Sequence, residues 1–232
     1  PDARVHLVCN GLAVASGGKI DVNGKGYRGG EIGATTGRGP GGGIGVNGSA
    51  GYGGVGGKNS LGRSGGTYGL ATVPADPGSG GGGWGSGPNE GGCGGGAIWI
   101  EATGPVVVDG NVSANGDLAY ANNSGGGSGG SIYILCATFD GTNGTVSAKG
   151  GNRQIYSGSS GGGRIAVIYT NIAAQAAVPV PSVVFSTAPG VEDYDVTRAG
   201  DPNDHVIEFN ELHSVDYEND DQGAIDVFGN PT

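Results

Sequence analysis

Residues 97–116 read AIWIEATGPVVVDGNVSANG, and the chain says nearly the same thing twice more, as RVHLVCNGLAVASGGKIDVNG at 4–24 and SIYILCATFDGTNGTVSAKG at 131–150. A fourth copy opens with RIAVIYT at Arg164 and then departs. Each copy is an alternating apolar run, a Gly/Asn/Asp turn, a second short run and an Asn-Gly or Lys-Gly stop. The matching Ile98, Ile132 and Ile165 fall 34 and 33 residues apart, and self-similarity at such a period marks a repeat architecture. Strand side chains alternate between two faces. Val5, Leu7 and Cys9 therefore join Ile98, Ile100, Ile132 and Ile134 in an inward row, while His6, Trp99 and Tyr133 share one outward position. Each copy supplies two strands joined by a glycine-containing corner, and no copy carries a helical period. Stacked copies pair equivalent strands in parallel and bury a row that one copy alone leaves open. The predicted fold is all-β: a parallel β-helix or β-solenoid with long glycine-rich loops and a C-terminal acidic β cap.

Glycine supplies 56 of the 232 residues, and charged residues only 14%. Without the apolar runs that balance would signal low complexity. No apolar stretch reaches the ~18 residues that a membrane span requires. The chain opens on Pro1 with no Met and no signal-like segment, and reads as a mature or excised piece of a longer polypeptide. Residues 1–188 carry nine acids against ten Lys/Arg, whereas residues 189–232 carry twelve acids and a single base, Arg198. The net charge of −10 thus belongs to the C-terminal segment. With no basic stripe to neutralise phosphates, nucleic acid is not an expected partner. Cys9 and Cys136 share a repeat position that holds Ala102 in the middle copy, so stacking puts them too far apart for a direct disulfide. The cysteines read as small buried hydrophobes, with a bridge involving Cys93 as the alternative.

The chain divides into the repeat body at 1–170, a linker at 171–190 and an acidic cap at 191–232. Between the first two copies, residues 25–96 form an excursion holding 32 glycines. Loops of that length without structure of their own are uncommon in compact domains. It is either a set of degenerate repeats, as IGVNG at 44–48 suggests, or a layer of extended chains packed closely because glycine has no side chain. A short helix is expected at Ala173–Ala177 and strands at Val183–Phe185, 206–215 and 224–228.

The ordered succession of YGLATVPADPGSGGGG (68–83), GGGAIWIEATGPVVVDGNVSANG (94–116), GGGSGGSIYILCATFDGTNGTVSAKGG (125–151), GGGRIAVIYT (161–170) and AAVPVPSVVFSTAPG (176–190) resembles a glycine-rich repeat region of large secreted and surface-anchored bacterial proteins, with relatives among plant glycine-rich proteins. The resemblance covers about residues 5–190. It implies an extracellular or cell-surface β-rich scaffold and carries no catalytic residues.

Three features hold candidate chemistry. The outward row His6, Trp99 and Tyr133 offers aromatic faces suited to sugar rings, unless the excursion folds over it. In the acidic tail, GDPNDHVIEFNEL (200–212) resembles a calcium loop of the EF-hand or dockerin kind. Asp201, Asn203, Asp204, Glu208 and Glu211 would be its oxygen ligands for Ca²⁺, although His205 stands where such a loop needs glycine; the alternative is a solvated cap that discourages edge pairing. Among four N-x-[ST] sequons, Asn122 and Asn143 sit in turns exposed enough for a glycan. No Ser/His/Asp or Cys/His grouping emerges, and Asp109 and Asp140 lie in turns where such residues serve the backbone. The functional expectation is a non-enzymatic extracellular structural or adhesive scaffold that self-assembles into a filament or surface layer, or contacts cell-surface or extracellular-matrix polysaccharide. A carbohydrate-binding or polysaccharide-cleaving protein using the aromatic row is the alternative.

Overall fold

The computed structural model describes residues 4–58, 64–84, 91–120, 123–152 and 157–191, together with the backbone of 224–229. Each complete copy yields three strands rather than two. The first gives β1 (Arg4–Cys9), β2 (Leu12–Val14) and β3 (Lys19–Asp21); the second gives β4 (Ala97–Ala102), β5 (Val106–Val108) and β6 (Asn111–Ser113). The third gives β7 (Ser131–Cys136), β8 (Phe139–Asp140) and β9 (Thr142–Ser147). The partial copy contributes β10 (Arg164–Tyr169), followed by α1 (Ile172–Gln175), β11 (Ser182–Ser186) and β12 (Ala224–Gly229). The middle strands run for only two or three residues, too short for an alternation to be read from sequence.

Equivalent strands pair in parallel and in register, as Ile98 with Ile132 and Ile132 with Ile165. Three sheets result, ordered β1-β4-β7-β10-β12, β2-β5-β8 and β11-β9-β6-β3. This corrects the expected β-helix or β-solenoid: the sheets are stacked but do not close into a solenoid. The physical reason is that the chain leaves the sheets between copies instead of turning straight from one into the next. The expected acidic β cap is corrected as well. Strand β12 continues the register of β10, Arg164 opposite Ala224, as the fifth strand of the first sheet. The predicted strand at 206–215 lies outside the described residues. Stacked parallel sheets are otherwise typical of α/β proteins, where helices cover both faces; here the described residues hold one four-residue helix.

The inward row makes the core. Ile98, Ile100, Ile132, Ile134 and Ile165 are fully buried and pack with Val106, Val108, Val112, Val146 and Phe139. Each such side chain contributes roughly 1.5–3 kcal/mol by leaving water. The Asn-Gly stops are explained by a ladder of side-chain amides. Asn23 Oδ1 accepts the Asn115 N–H at 2.6 Å, and Asn115 Oδ1 accepts the Lys149 N–H at 2.7 Å. In the first copy Asp21 Oδ1 accepts the Asn23 N–H at 2.8 Å, standing in for a preceding asparagine. Asp109 and Asp140 serve the backbone as expected, accepting the N–H groups of Thr142 and Gly141.

The glycine-rich segments are not loops. In 78–83, the N–H groups of Gly78 and Gly81 donate to Gly95 and Gly92, those of Gly80 and Gly83 to Arg38 and Thr35, and that of Gly82 to Gly48. The amides of Gly78 and Gly81, and those of Gly80 and Gly83, thus return three residues apart to the same neighbouring segment, the spacing of a three-residue-per-turn extended chain. The tracts before β7 and β10 join the same layer through Gly92 to Gly125, Gly95 to Ser128 and Gly129 to Gly161. A Cβ on Gly94 would overlap the Gly78 carbonyl, and one on Gly127 the Cys93 carbonyl. The layer is docked on the first sheet by Tyr52, which is fully buried: its hydroxyl lies 2.6 Å from Ser131 Oγ and its ring 5.5 Å beneath the Arg164 guanidinium.

Two predictions follow from the layer. Gly94→Ala forces backbone apart and lowers stability by about 1–3 kcal/mol or more, while Gly66→Ala, where a Cβ meets nothing, stays within about 0.5 kcal/mol; urea unfolding of both variants checks this. Burial pushes the Tyr52 hydroxyl up to about 12, against the smaller lowering effects of Ser131 and Arg164, and burial also raises Tyr68. The unfolded chain then loses these protons first, so stability is intact below about pH 10 and falls between about 10 and 12. Tyr52→Phe flattens that alkaline decline, read by unfolding at stepped pH.

Candidate functional site: an aromatic ladder on the outward face

The outward row of the first sheet assembles across strands, as the repeat alignment predicts. His6 lies opposite Trp99, Trp99 opposite Tyr133, and Tyr133 opposite Ala166. Parallel pairing of equivalent positions brings residues 93 positions apart in sequence into contact. The Trp99 and Tyr133 ring centroids are 4.1 Å apart at an interplanar angle of 32°, and His6 meets Trp99 edge-on at 6.2 Å and 77°.

Glu101 binds the open end of this ladder together. It sits two residues after Trp99, hence on the same face. Trp99 Nε1–H donates to Glu101 Oε1 at 2.6 Å, and His6 Nε2 lies 3.0 Å from the same oxygen. Because a carboxylate oxygen accepts, Nε2 is the protonated ring nitrogen. Sequence reading missed Glu101, although the W-x-E spacing in AIWIEA signals it. Exposure declines along the row. The His6 side chain is 56% exposed and Glu101 40%; Trp99 is half-buried, and Tyr133 is only 7% exposed where it packs with Ala166 and Ile168. Burial first, and the Glu101 charge second, raise the Tyr133 hydroxyl above its ordinary range, so it stays a neutral hydroxyl near neutral pH.

Ring orientation limits what the ladder can do. A sugar stacks on an open aromatic face, yet one face of Trp99 lies against Tyr133 and the next neighbour along the row is His6. The row is joined ring to ring, so the Trp99 face turned toward Tyr133 is already taken.

Of the other predicted sites, Asn143 lies in β9, in a different sheet. Asp201, Asn203, Asp204, Glu208, Glu211 and Asn122 lie outside the described residues. Among the described residues, no group of three His, Cys, Asp or Glu is arranged to hold a metal ion. Asn143 is exposed in β9 with a left-handed φ of 59°. Cys9, Cys93 and Cys136 are free thiols. Cys9 pairs with Ala102 in the stacked column, and burial pushes the Cys136 thiol up to about 12, which keeps it protonated and inert. No helix among the described residues is long and apolar enough to cross a membrane. Comparison of the chain with protein-family models, with curated proteins and with solved structures gave no match.

Proposed function

We propose that this chain is a non-catalytic, extracellular structural scaffold: a stiff module that holds its ends and surfaces apart and does no chemistry of its own. The observation that carries the reading is how the conspicuous side chains and amides are used. Trp99, Tyr133 and Glu101 contact one another, the asparagines ladder onto backbone, and the glycine amides bond segment to segment. Residue types that would bind ligand elsewhere are spent here on cross-repeat contacts. The extracellular setting follows from the resemblance of residues 5–190 to repeats of secreted and surface-anchored proteins and is part of the proposal.

The rival, a polysaccharide-binding surface on the same face, needs an open ring face at Trp99. The two readings part on one variant. Trp99→Ala lowers stability by about 2–4 kcal/mol through lost packing on Tyr133 and His6, measured by denaturant unfolding. The native chain shows no saturable binding to neutral or acidic polysaccharides on a glycan array. Saturable binding that disappears in Trp99→Ala, with circular dichroism unchanged, overturns the scaffold reading in favour of the rival.

A further inference from the structure

The two ends of the stacked repeats are built differently. At the third-copy end the β2-β5-β8 sheet is finished. Gln175 of α1 lies alongside β8 as a further strand would: the Phe139 N–H donates to Gln175 Oε1 at 2.7 Å, and Gln175 Nε2 donates to the Phe139 carbonyl at 2.9 Å. Asn171 fixes α1 there by accepting the Ala174 N–H at 3.0 Å. Among the described residues, β1, β2 and β3 at the first-copy end are each the terminal strand of a sheet. Leu7, Leu12 and Ile20 pack on the core yet remain partly exposed, whereas their partners Ile100, Val106 and Val112 are fully buried. An open strand edge over partly exposed aliphatic side chains is a template for another strand.

We infer that this end is the interface for a second copy of the chain, docked about a two-fold axis that passes through Ile20. The inference deepens the scaffold reading and rests on it. The occupant is argued from the charge pattern of the edge. Strand β3 reads Lys19-Ile20-Asp21, with Lys19 and Asp21 exposed and Ile20 turned toward the core. Antiparallel pairing of β3 with the same strand of a second copy sets each Lys19 opposite an Asp21 and Ile20 against Ile20. The edge is complementary to itself, as an isologous interface requires, and opposite charges directly across strands attract. Among the described residues Lys19 has no other partner. Asp21 uses Oδ1 to cap Asn23, which leaves Oδ2 for the ion pair. Head-to-tail growth is disfavoured, because β2 of a following copy would have to displace Gln175 from β8. The assembly therefore stops at two.

Sedimentation velocity of the full chain over a wide concentration range tests this. The expected species is a dimer of twice the chain mass that dissociates on dilution. Lys19→Asp places carboxylates opposite one another and weakens dimerisation about tenfold or more; Lys19→Asp with Asp21→Lys restores the complementarity and most of the affinity. Circular dichroism checks the fold of each, and Lys19→Ala, which removes attraction without adding repulsion, serves if Lys19→Asp fails to fold, with a loss of about threefold or more expected. A monomer at every concentration, species that keep growing beyond two, a Lys19→Asp chain that dimerises like the native one, or a double variant as weak as the single overturns the inference. A stable monomer that binds no polysaccharide overturns the dimer alone. Polysaccharide binding lost in Trp99→Ala overturns the scaffold reading, whatever the mass.

Discussion

Backbone segments in this protein lie so close that there is no room for a Cβ between them, and the rest of the structure depends on that approach. A carbonyl of Gly78 occupies the space where a side chain on Gly94 would start, and the same holds between Gly37 and Gly80 and between Gly127 and Cys93. At that distance each amide reaches a carbonyl on another segment, so a buried layer with few apolar side chains still satisfies its polar groups. An unpaired buried amide would cost more than its hydrogen bond returns, which is why the layer is bonded in three directions, as the amides of 80–83 show.

The sheets and the layer support each other through few contacts of high consequence. Ser131 begins β7 and receives Tyr52 from the layer, while Arg164 begins β10 and lies over the same ring. Tyr52 is thus held where the three-residue spacing of the glycine chains meets the two-residue alternation of the strands. Beyond this junction, stacking repeats one set of contacts: aliphatic on aliphatic inside, amide on backbone at the Asn-Gly stops, ring on ring outside.

That repetition bears on function. A ladder of like side chains stiffens a stack, but it also uses up the groups that would bind a ligand. Trp99 gives its face to Tyr133 and its N–H to Glu101. Among the described residues, what stays unsatisfied lies at the first-copy end of the stack, where β1, β2 and β3 are the terminal strands. Asp21 relieves part of this by capping Asn23, yet the β3 edge and the aliphatic side chains behind it remain open.

The alternation in RVHLVC, AIWIEA and SIYILC determined the long strands, their inward aliphatic row and the membership of the outward row, because a period of two leaves each side chain one face. The run of alanines likewise marked a helix at Ala173–Ala177, and the folded chain starts it a residue earlier, at Ile172, behind the N-cap Asn171. Tertiary structure decided the rest. Strands of two or three residues, such as β8, carry no period to read, so the β2-β5-β8 sheet went unseen. The pairing of glycine segments has no sequence signal, since every residue offers the same amide and carbonyl and glycine adds nothing to distinguish partners. Whether Trp99 presents a face or an edge depends on its separation from Tyr133, and the place of β12 depends on the free edge of β10. Sequence determined which side chains share a face; only the folded chain decided what each of them touches.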